Sequence, residues 1–130
     1  MSFYFSLSME ASFEEAILKV TEALKKEGFG ILTEIDVQET LKRKLGVEFR
    51  KYRILGACNP PFAYEALQAE DKIGMLLPCN VIVQEHEPGR IEVSAIDPLK
   101  AMEVVGNPKL KAIAERVHSK LKRTIEGLSS

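Results

Sequence analysis

The sequence predicts an α+β domain of two layers, a mainly antiparallel β-sheet carrying two long helices on one face, with short helical insertions between strands. Three observations carry this. Apolar residues recur at helical spacing near both ends of the chain. Between these stretches lie segments whose side chains alternate with period two. Three Asn-Pro or Asp-Pro steps then mark the starts of further helices.

The elements follow in order. Phe3, Phe5 and Leu7 alternate with Ser2, Tyr4, Ser6 and Ser8, which predicts a first strand with one apolar and one mildly polar face. Ser12 and Glu15 form a capping box in which the hydroxyl and the carboxylate each satisfy a backbone donor. Phe13, Ala16, Ile17, Val20 and Leu24 then line one side of a helix that stops at Gly28. Phe29, Ile31, Thr33, Ile35 and Val37 share one parity and predict a second strand, and a short helix spans 38–45 before Gly46. In the next strand Tyr52, Ile54, Gly56 and Cys58 share a face, with Lys51 and Arg53 pointing the other way. Two more strands, about 79–85 and 90–96, are joined by the turn signal Glu87-Pro88-Gly89.

Asn59-Pro60, Asp97-Pro98 and Asn107-Pro108 each place a capping side chain before a proline at the first helical position. There the missing N–H costs nothing, and the residue before proline already favours the extended geometry of a cap. Short helices are expected from Pro60 and Pro98. The last helix is expected from Pro108 to Gly127, burying Leu110, Ile113, Ala114, Val117, Leu121 and Ile125.

Composition narrows the function. At 130 residues, 45% hydrophobic and 28% charged, the chain reads as a single domain over 1–130 with its own core. Eighteen basic and 19 acidic residues leave a net charge of −1, which argues against a nucleic-acid or membrane-surface partner, since both reward excess positive charge. Lys42, Arg43, Lys44, Arg50, Lys51 and Arg53, and the lysines and arginines of the last helix, read as solvated faces. No apolar run approaches the ~20 residues that span a bilayer. The first eight residues lack the basic start of a signal peptide, so a cytoplasmic location is expected, where thiols stay reduced.

The two cysteines are the chemical focus. Each is followed by asparagine and flanked by proline, as Cys58-Asn59-Pro60 and Pro78-Cys79-Asn80. Brought together, they would line one spot with two thiols and two amides. Read conservatively, both cysteines are small buried hydrophobes, and Asn59 is a helix cap. Asn80 is harder to dismiss, because asparagine inside a strand is disfavoured. His86, at a hairpin end, and His118, at the edge of the last helix's apolar stripe, pair with no Cys or His at metal-ligand spacing. Gly28-Phe29-Gly30 lacks the further glycines and the lysine of a phosphate loop.

The strings Gly28-Phe29-Gly30-Ile31-Leu32, Leu55-Gly56-Ala57-Cys58-Asn59-Pro60, Leu76-Leu77-Pro78-Cys79-Asn80-Val81 and Asp97-Pro98 resemble the bacterial and archaeal domain-of-unknown-function family 302. The likeness covers nearly the whole chain. It implies a fold like that of the TATA-box-binding protein, in the order strand, helix, four strands, helix. It implies no DNA binding, because a fold carries no function by itself, and the family brings no established activity.

The functional expectation is therefore a small homodimeric ligand-binding domain with a pocket near Cys58, Asn59, Cys79 and Asn80. Its ligand would be a small molecule or a soft metal ion. Thiolates from Cys58 and Cys79 would favour copper(I) or zinc. The alternatives are a thiol redox enzyme, in which one cysteine attacks and the other resolves, and a purely structural or protein-interaction module.

Overall fold

The computed structural model describes residues 2–129; Met1 and Ser130, the outer limits of the expected single domain, lie outside the described residues. The order of elements is β1 (Tyr4–Glu10), α1 (Phe13–Lys26), β2 (Gly30–Asp36), α2 (Val37–Leu45), β3 (Tyr52–Cys58), α3 (Pro60–Ala69), a 3-10 turn (Ile73–Leu76), β4 (Cys79–Glu87), β5 (Arg90–Ile96), α4 (Pro98–Glu103) and α5 (Pro108–Gly127). The five strands form one sheet in the order β1-β5-β4-β3-β2, and every neighbouring pair is antiparallel. No helix among the described residues is long and apolar enough to cross a membrane.

One face of the sheet meets the helices. Leu55 and Ala57 of β3, Val81 and Val83 of β4, and Ile91, Val93 and Ala95 of β5 are buried in one cluster with Val20 and Leu24 of α1 and Leu110 and Leu121 of α5. This is the two-layer arrangement that the periodicity predicts. Short α2 fully buries none of its side chains; Val37 and Leu41 are half-buried and Leu45 is exposed.

The helix starts differ from one another in an informative way. Asp97 accepts a hydrogen bond from the Leu99 N–H, and Asn107 from the Lys109 N–H, in both cases the second helical residue. Ser12 accepts from the Glu15 N–H at 3.2 Å, but its hydroxyl donates to the Glu15 carboxylate, so the expected capping box is only half formed. Asn59 occupies the cap position of α3 with extended backbone, yet its side chain caps nothing. The reason is Pro61: with proline at both the first and second helical positions, the donor used by the other two caps is missing.

The expected single parity of Phe29 through Val37 is broken. A bulge between Ile31 and Thr33 shifts the register, so Ile31 sits opposite Ala57 on the inner face whereas Thr33 sits opposite Gly56 and Ile35 opposite Ile54 on the outer face. Val37 opens α2 instead of continuing the strand.

The outer face is partly polar. Glu92 accepts from Ser6 Oγ at 3.0 Å and from Gln84 Nε2 at 3.3 Å, and lies 2.9 Å from His86 Nε2, while Arg50 Nε donates to Gln84 Oε1. The hydrogen bond to His86, joined by that from Ser6, holds the Glu92 carboxyl below the ordinary range despite partial burial. Around this network Ile54, Ile82 and Ile96 are half-buried, and Tyr4 and Ile35 are exposed.

Candidate functional site at the end of β3 and β4

The register of β3 and β4 decides where the two Cys-Asn elements point. Ala57 pairs with Cys79, and Gly56 with Asn80. Paired residues share a face, so Cys79 turns inward with Ala57 and Val81, and Asn80 turns outward with Gly56. The inward set of β3 is thus Arg53, Leu55 and Ala57, not the Tyr52-to-Cys58 set expected from the sequence, because the longer run of large apolar residues in β4 and β5 fixes which face is core. Cys58, the last residue of β3, sits where strand alternation gives way to the start of α3. It is half-buried and lines the same cavity as Cys79.

That cavity has a volume of about 310 Å³. Its walls are Phe29 and Ala57, Phe62, Ala63 and Ala66 of α3, Leu77 and Pro78 before β4, Met102 of α4, and Ile113, Ala114 and Val117 of α5. No charged residue lines it; apart from the Met102 thioether, the polar side chains are Cys58, Asn59 and Cys79. Three of the four residues expected from the sequence therefore meet here. Asn80 does not: it is exposed in a shallow groove on the outer face with Tyr4, Tyr52 and Gln84.

Asn59 is tied in place by a backbone carbonyl. Freed from capping, its Nδ2 donates to Glu27 O at 3.3 Å, which joins the start of α3 to the end of α1. Gly28 makes this approach possible. Its φ of +87° suits glycine, and a Cβ there would lie 3.0 Å from Asn59 Nδ2. The Glu27 carboxylate also holds Arg123 of α5 at 3.0 Å, so one short segment links three helices beside the cavity.

The cysteines differ in their surroundings. Burial pushes the Cys79 thiol up from 9.0 to about 11, and the nearby Cys58 thiol adds to the rise because a second negative charge would be unwelcome. A thiol so held carries almost no thiolate at neutral pH and is a poor attacking nucleophile.

One further arrangement lies outside the cavity. His118 Nδ1 is 2.8 Å from the Asp97 carboxylate, with the imidazole edge-on to Phe5 at a centroid distance of 5.0 Å. The sequence reading missed this pair, because Asp97 already has a sufficient job as a cap and the two are 21 residues apart. Among the described residues no three His, Cys, Asp or Glu side chains gather closely enough to hold a metal ion.

A family model described as "Domain of unknown function DUF302" matches residues 5–128. No protein with a curated description matches the chain. Among solved structures, the crystal structure of the uncharacterized conserved protein DUF302 from Bacillus stearothermophilus is similar, with a TM-score of 0.88 and 30% identity. The alignment covers 97% of this chain and 98% of that one. The likeness thus runs through every element that builds the cavity.

Proposed function

Because the chain belongs to the DUF302 family, whose description assigns no activity, we propose its role from the site alone: a small-molecule-binding domain that takes an uncharged, largely apolar ligand into the cavity walled by Cys58, Asn59 and Cys79. The observation that carries this reading is the cavity itself. Its volume of about 310 Å³ falls at the lower end of the roughly 300–1,000 Å³ of ligand pockets, and its apolar walls with a few convergent polar groups follow the usual pattern. The Asn59 amide is fixed by Glu27 and supplies the polar anchor. Thiol redox catalysis is less well supported, because the Cys79 thiol is held near 11.

The test is binding of the neutral dye N-phenyl-1-naphthylamine, read by fluorescence. One saturable site is expected. Ala63 of α3 is half-buried in the wall, so Ala63→Phe should fill the space and weaken binding at least tenfold while leaving the far-UV circular dichroism unchanged. Non-saturable binding, or equal affinity in the folded variant, would refute the reading.

A further inference from the structure

We propose that Cys58 and Cys79 together bind one copper(I) ion as a two-coordinate dithiolate site in the cavity wall. They are the only cysteines of the chain. Cys58 follows Ala57, the ladder partner of Cys79, and is the last residue of β3, where the chain leaves the sheet for α3. Both open onto the same cavity. The sulfurs thus come from two rigid neighbouring strands and not from a flexible loop.

The surroundings select the ion. Zinc sites need four ligands, usually all from protein when structural, and calcium or magnesium need six or more oxygens. Among the described residues no third His, Cys, Asp or Glu stands with the pair, and no charged side chain lines the cavity. Copper(I) is a soft ion that two thiolates satisfy in a linear arrangement, and it needs no oxygen ligand or retained water. Of the two metals that the cysteines alone allow, the structure therefore favours copper(I) over zinc.

Binding is a ligand exchange without change of oxidation state: two thiols and one copper(I) ion give the dithiolate complex and two released protons. It does not depend on an organic ligand occupying the cavity, and the dye experiment above fails or succeeds separately.

The experiment is an anaerobic titration of copper(I) against the chromophoric chelator bathocuproine disulfonate, using the full chain. The wild type should withdraw one equivalent from the chelator, and Cys58→Ser and Cys79→Ser should each bind at least a hundredfold more weakly. Circular dichroism establishes that the variants are folded, and Cys79→Ala replaces Cys79→Ser if the buried hydroxyl prevents folding. Zinc, titrated against a chromophoric zinc chelator, should not be retained. The inference is overturned if the wild type withdraws no copper(I), if a folded single variant withdraws as much as the wild type, or if zinc is held equally well.

Discussion

Replacing Gly56 by alanine should destabilise the domain by about 2–3 kcal/mol, a cost typical of forcing an extra methyl into a well-packed site. Gly56 lies buried in β3, opposite Thr33 on one side and Asn80 on the other. A Cβ built there runs into the Thr33 hydroxyl and comes within 2.7 Å of Pro78 Cγ. The hydroxyl can rotate away, but the proline ring cannot, and it leads directly into Cys79. The damage therefore reaches the cavity as well as the sheet. Urea denaturation measures the loss. Adding Thr33→Ala should recover only part of it, whereas Gly30→Ala, with open space around its Cβ position, should stay within about 1 kcal/mol of wild type. A Gly56→Ala protein as stable as the wild type would show that β2, β3 and Pro78 are not packed as described.

Stability should also fall between pH 9 and 11 through Cys79. Below pH 9 the thiol is protonated in both the folded and the unfolded chain, and it contributes no pH dependence. As pH rises past 9.0 the unfolded thiol loses its proton while the buried one keeps it until about 11. The unfolded state then binds fewer protons than the native state, so unfolding becomes easier with pH. At about 1.4 kcal/mol per pH unit the loss reaches roughly 2–3 kcal/mol at the top of the interval. Lysines and tyrosines titrate nearby, so the quantity to measure is the difference between the wild-type slope and that of Cys79→Ala. Parallel curves for the two proteins would mean that Cys79 is solvated.

Much of the fold could be read from residues because several signals agreed at each element. The strand Arg90–Ile96 and the helix Pro108–Gly127 fall where alternation, the Glu87-Pro88-Gly89 turn and the Asn107-Pro108 cap place them. Parity failed where local geometry overrode it. The bulge at Ile31–Thr33 moves Ile35 to the outer face, and no property of those side chains announces it. Of the four residues expected to gather at one spot, Cys58, Asn59 and Cys79 line one cavity and Asn80 lies outside it. Cys79 and Asn80 are adjacent in a strand, and adjacent strand residues point to opposite faces, so Asn80 turns away from the cavity that Cys58, Asn59 and Cys79 line. Asn59 escapes this limit because it lies just past the end of β3. Its true partner, the Glu27 carbonyl, is a backbone group 32 residues away and leaves no mark in the sequence. The double proline after it did leave one, since Pro61 removes the second-position donor that Asp97 and Asn107 use. The Asp97–His118 pair is of the same long-range kind, visible only once β5 and α5 are packed together.

The most direct test of the account is the rate at which iodoacetamide modifies each cysteine of the native protein at pH 8, mapped by peptide mass spectrometry with and without N-phenyl-1-naphthylamine. Half-buried Cys58 should react first and buried Cys79 far more slowly, as its scarce thiolate requires, and saturating dye should slow both. Cys79 reacting as fast as Cys58, or dye that binds at saturation without protecting either thiol, would contradict the claim that the two share one apolar cavity.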